Sequence, residues 1–151
     1  MQAQPIESIA HTIQLAVAPV FLLTGVSALL GVFTTRLARI VDRARHLEAE
    51  HPHATGAEAR LMHEELNALA ARARMVNVAI SLATGTAIMV CLVIVLLFAS
   101  SLVSTPLSAA VPALFIIAML SLVSALAIFL REILVATATL RIGPKAAPQS
   151  S

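Results

Sequence analysis

Between Glu7 and Arg36, and again between Arg74 and Arg131, the chain carries no charged residue. An α-helix needs about 20 apolar residues to cross a hydrocarbon core about 30 Å thick. Residues 13–35 supply one such span. The uncharged run from Met75 to Leu130 covers 56 residues, too many for one helix. It divides at SSLVSTPLSAAVP, Ser100–Pro112, where serines and prolines cluster as turn formers. Spans over 76–99 and 111–133 follow, the third able to continue to residue 140. The pattern predicts an all-α integral membrane protein with three transmembrane helices.

The segment between the first two spans has a different rhythm. Apolar or small residues recur at Phe33, Leu37, Ile40, Ala44 and Leu47, and again at Met62, Leu66, Leu69, Ala73 and Val76. Alternating steps of four and three mark the apolar seam of paired helices. The two arms flank HPHATG, His51–Gly56, so residues 36–75 read as an antiparallel coiled-coil hairpin with its turn at 51–56. In this register Leu47 faces Met62, Ala44 faces Leu66, Ile40 faces Leu69, Leu37 faces Ala73 and Phe33 faces Val76. Arg43 then opposes Glu65, and Glu48 opposes His63. Arg36 opposes Arg72, a like-charge contact that calls for an outside anion, and the nearest is a lipid phosphate.

Composition agrees with a membrane protein. Of 151 residues 59% are hydrophobic and 12% charged, against about 25% charged in soluble domains. All ten Lys and Arg lie in two places: Arg36, Arg39, Arg43, Arg45, Arg60, Arg72 and Arg74 between spans one and two, and Arg131, Arg141 and Lys145 at or after the end of span three. By the positive-inside rule the hairpin and the C-terminus are cytoplasmic, and the N-terminal segment 1–12 and the loop 100–110 are outside. Basic residues so placed orient helices and argue against nucleic acid as a partner. The expected partners are membrane lipids, anionic phospholipid in particular, touched by Arg36, Arg39, Arg72, Arg74 and Arg131. The N-terminus lacks the positive region of a cleavable signal peptide. The tail, residues 141–151, reads as disordered. With no Trp or Tyr in the chain, Phe33, Phe98, Phe115 and Phe129 are the expected aromatic anchors.

The run IQLAVAPVFLLTGVSALLGVFTTRLARIVDRARHLE, with FLREILVA near the end, resembles a bacterial family of small membrane proteins, domain-of-unknown-function family 2721. RLARIVDRAR, Arg36–Arg45, is its most distinctive part. The resemblance implies the bacterial inner membrane and carries no assigned activity.

Candidate chemistry is sparse. No phosphate-binding glycine loop, paired zinc-ligand motif or nucleophile elbow occurs, so neither an enzyme nor a cofactor is expected. Cys91 sits mid-span in the second helix as an apolar residue. His46, His51, His53 and His63 lie near the hairpin tip beside Glu48 and Glu50. Such groups suit zinc, nickel or copper, but His51–Pro52–His53 does not fit one helical face, and no metal site is assigned. Glu7, His11 and Gln14 share a face at the outer end of span one, a candidate polar entrance. Pro19 removes a backbone donor and is expected to kink that helix. Thr24, Ser27, Ala28 and Gly31 in span one, and Ser81, Thr84 and Gly85 in span two, provide small-residue surfaces for oligomer packing. Glu132 is placed to reach Arg36 or Arg74. The reading that results is a non-enzymatic, homo-oligomeric scaffold or regulatory membrane protein. The alternative is a small oligomeric channel or transport subunit with its path between protomers. No ionisable residue sits at a span midpoint, where transporters usually keep one.

Overall fold

A computed structural model of the protein describes residues 3–50, 56–102 and 109–138, with side chains over 10–49, 56–100 and 109–137. The described residues form three helices and no strand: α1 (Ala3–Glu50), α2 (Ala57–Leu102) and α3 (Ala110–Ala138). Each contains a stretch long and apolar enough to cross a membrane. The polar segment between the first two spans is not a separate domain in its backbone. α1 passes from span to hairpin arm without a break, and α2 returns the same way.

The helix ends follow from local chemistry. Gly56 precedes α2 with φ +62°, a left-handed conformation that costs glycine no side-chain clash. Glu58 lies in the first turn of α2, where the helix dipole favours an acid. Pro112 occupies the first turn of α3, where a missing backbone donor loses no hydrogen bond. α1 begins at Ala3, well before the expected span, and continues through Pro19, which is buried. Residues 51–55 of the expected turn, 103–108 of the expected loop and the whole 141–151 tail lie outside the described residues.

α2 is the central helix, packed against α1 along one side and α3 along another. The contact with α1 has a plain basis in the sequence. On α1, Val26, Phe33, Ile40 and Leu47 are buried, and on α2 so are Leu69, Val76, Ala83 and Val90. Both sets are spaced by seven, the repeat that keeps one edge of a helix turned toward its partner. Of the seam expected from sequence, Leu37, Ala44, Met62, Leu66 and Ala73 are half-buried. The repeat extends beyond the hairpin into both spans, further than the expected seam reached. Arg43 Nε and Nη2 donate to Glu65 Oε1 at 3.1 and 2.9 Å, the opposition that the register requires. Both side chains are about half exposed, so the pair contributes well under about 1 kcal/mol.

The α2–α3 contact rests on small residues and two hydroxyls. Ala118 and Ala125 are fully buried and let the backbones approach. Thr86, also fully buried, directs its hydroxyl to Leu82 O at 3.0 Å and Ala118 O at 3.3 Å. Ser121 on α3 donates to the same Leu82 carbonyl at 3.1 Å. Lipid provides little hydrophobic drive between helices, so close packing and such bonds hold spans together. Elsewhere the surface is apolar, with Phe21, Val95 and Leu120 exposed, as befits helices facing hydrocarbon. Thr24, Ser27, Ser81 and Ser124 each return the hydroxyl proton to a carbonyl of their own helix. No water is needed to satisfy them.

One expectation changes here. Phe33 does not anchor the surface: it is fully buried, and its ring meets that of the half-buried Phe129 at a centroid distance of 4.3 Å. Phe33 falls on the seven-residue repeat, and the seam takes it inward.

Cysteines at Ala44 and Leu66, with Cys91 replaced by Ala, are expected to form an intrachain disulfide under mild oxidation. An Ala44 and Ala73 pair is expected to cross-link far less. Non-reducing gel mobility after proteolysis between the arms reads both.

Candidate functional site

Glu132 is the one ionised-type side chain that is fully buried among the described residues. It lies about 33 Å from the start of α3 at 1.5 Å per residue, past a hydrocarbon core of about 30 Å. Its neighbours come from the other two helices. Arg72 of α2 donates from Nε and Nη2 to Oε1, both at 3.1 Å. Arg36 of α1 donates from Nε to Oε2 at 3.4 Å. One carboxylate thus joins all three helices at the level where the spans become the hairpin.

The arginine side chains are 33% and 23% exposed, against 0% for Glu132. The guanidiniums keep some hydration while the carboxylate depends on them for every polar contact. Three residues earlier on each helix stand Phe33 and Phe129, whose rings meet at 4.3 Å, so the junction has an apolar neighbour on its span side. The expectation that Arg36 and Arg72 face each other without a counter-charge is corrected: Glu132 stands between them. The expected reach of Glu132 to Arg36 is present, whereas its second partner is Arg72 and not Arg74. Arg74 and Arg131 are exposed.

Beside the junction, between α1 and α3, a cleft of about 1050 Å³ opens. Ala28, Gly31 and Val32 line one wall and Phe129, Ile133 and Ala136 the other, with Arg36, Arg39 and Arg72 at the mouth. It exists because α1 and α3 both pack on α2 and only lightly on one another. Arg39 is exposed, and among the described residues it makes no ion pair or hydrogen bond.

The model of the family described as "Protein of unknown function (DUF2721)" matches residues 16–142. The chain belongs to that family. No curated protein and no solved structure matches it. The DUF2721 match takes in the junction, the cleft and all of α3, so these features lie within the family's shared region.

The remaining sequence-derived candidates are distributed as follows. In this DUF2721 protein Thr24, Ser27, Ala28, Gly31, Ser81 and Thr84 are exposed, and Gly85 is half-buried. A side chain added at Gly31 or Gly85 would meet open space. Ala28 and Gly31 belong to the cleft wall, which separates them from Ser81 and Thr84 on the outer surface of α2. His11 and Gln14 are exposed, while the Glu7 side chain lies outside the described residues, as do His51 and His53. Among the described residues no three His, Cys, Asp or Glu side chains form a metal-binding group. Cys91 is exposed on the apolar surface of α2. Thr86 and the cleft were not foreseen. A single threonine in an apolar span has no periodic signature, and helices spaced apart by their shared neighbour leave none either.

Replacing Glu132 with Ala is expected to lower stability in detergent by about 3 kcal/mol, the low end for breaking a buried ion pair because the arginines are partly hydrated. Glu132→Gln, which keeps an acceptor oxygen, should lose less. Thermal unfolding followed by circular dichroism separates the two.

Proposed function

We propose that the protein is a non-enzymatic, homo-oligomeric scaffold or regulatory protein of the bacterial inner membrane. Its N-terminus is outside, and its hairpin and C-terminus are cytoplasmic. The observation that carries this reading is mechanical. Two helices run unbroken from apolar spans into the hairpin, and the Arg36–Glu132–Arg72 junction ties both of them to the third span. The described hairpin arm from Arg36 to Glu50 reaches about 21 Å past the junction at 1.5 Å per residue. A stiff, charged projection on a small membrane base suits the presentation of a surface to other proteins.

The placement of polar groups supports a non-transporting role. Glu132 is held at the interface by three donors, not free at a span midpoint where relays keep ionisable groups. The spans' hydroxyls bond largely to their own helices. Orientation follows from all ten basic residues lying on one side of the three spans. Homo-oligomerisation is supported by Ser27, Ser81 and Thr84, small side chains exposed on apolar helices that a neighbouring copy can approach closely.

Stoichiometry tests the assembly. In mild detergent and in nanodiscs the protein is expected to be a defined oligomer. Thr84→Leu should weaken it more than Val95→Ala, which trims an exposed apolar side chain. A monodisperse monomer in both media rejects the homo-oligomer. Ion flux from liposomes carrying the purified oligomer would favour a channel between protomers.

A further inference from the structure

The cleft between α1 and α3 has an order of chemistry along its length. Along α1 its lining runs from Ala28, Gly31 and Val32 to Thr35, which donates its hydroxyl proton to Gly31 O, with Phe129 of α3 opposite the apolar part. Ile133 and Thr137 of α3 stand at and beyond the level of the arginines. The mouth is cationic, with Arg36, Arg39 and Arg72. Three guanidiniums against the single carboxylate of Glu132 leave two positive charges there. Arg39 is the one of the three with no protein partner among the described residues.

A phospholipid has the same sequence of parts: a hydrocarbon chain, then a polar linkage, then a phosphate at the depth of the interface. We propose that the cleft seats one anionic phospholipid, its phosphate on Arg39 beside the surplus charge of Arg36 and Arg72. One acyl chain lies against Ala28, Gly31, Val32 and Phe129. The volume, about 1050 Å³, is just above the roughly 300–1,000 Å³ usual for ligand sites. The proposal rests on the chain being embedded in a membrane and is independent of how many copies assemble.

Charge selects this occupant over a second copy of the chain. Copies inserted with one topology are parallel, so their arginine clusters meet at one depth and repel. An anionic headgroup is attracted at that same depth. Gly31 gives the chain room: a side chain there would project into open space.

The test is native mass spectrometry of the purified full chain in mild detergent. Phosphatidylglycerol and phosphatidylcholine of identical acyl composition are titrated separately, with and without inorganic phosphate. The expected result is several-fold greater retention of phosphatidylglycerol, little affected by inorganic phosphate. Arg39→Gln should bring the two lipids near parity, and Gly31→Leu should lower retention of both. Arg60→Gln, remote on the hairpin, should change neither. Equal retention of the two lipids by the parent overturns the proposal, as does an equal effect of Arg60→Gln and Arg39→Gln. Loss of the phosphatidylglycerol preference in inorganic phosphate would point to a free-anion site and also overturn it. A shift in oligomer distribution with Gly31→Leu, at unchanged lipid retention, would assign the cleft to a second copy.

Should Gly31→Leu not fold, Val32→Trp gives a second reading, because the chain has no other tryptophan. Its emission in vesicles should be quenched more by brominated phosphatidylglycerol than by brominated phosphatidylcholine at equal fraction. Equal quenching would contradict the proposal.

Discussion

A carboxylate held between two arginines governs the rest of this structure. Moving an ion out of water costs several kcal/mol, and only good geometry with further hydrogen bonds offsets that cost. Glu132 meets the condition through three donors from two helices. The interaction is therefore positional more than stabilising. Rotation of α3 would take Glu132 away from both arginines, and sliding of α1 along α2 would remove its bond from Arg36. Apolar helices in lipid slide and rotate at small cost, because one hydrocarbon face is much like another. The junction removes that freedom at the level where the apolar spans give way to the charged arms.

The seven-residue repeat carries the constraint outward. Val26, Phe33, Ile40 and Leu47 form one line of buried residues from the apolar span into the charged arm, answered by Leu69, Val76, Ala83 and Val90. The hairpin is consequently a continuation of two spans and has no hinge in the described backbone. On the side of α2 that meets α3, Thr86 and Ser121 converge on a single carbonyl of α2, and the alanines of α3 let the two backbones approach. α2 is thus packed along two sides, and α1 and α3 pack only lightly on one another among the described residues, meeting at Phe33–Phe129 and Arg36–Glu132. The cleft is the geometric remainder of that arrangement.

Much of this was legible in the residues, for identifiable reasons. Hairpin arms have a polar exterior, so their apolar seam stands out, and the Arg43–Glu65 opposition followed from it. Inside the membrane the contrast disappears. Val26 and Val32 are the same residue type six positions apart, yet the first is buried and the second exposed. For the same reason the rotation of α3 could not be read, and Glu132 was expected to reach Arg36 or Arg74 when it takes Arg36 and Arg72 together. The error over an unneutralised Arg36–Arg72 pair has the same origin. The two facing arms were legible, but the third helix that supplies the anion was not.

The most direct measurement exchanges the charges of the junction. Arg72→Glu together with Glu132→Arg keeps two guanidiniums and one carboxylate at the same level while moving the carboxylate from α3 to α2. Thermal unfolding in detergent would be compared for the parent, each single change and the double change. If the junction fixes the three helices by charge pairing, both single variants unfold at much lower temperature and the double variant recovers most of the loss. A double variant no more stable than the worse single change would contradict the account.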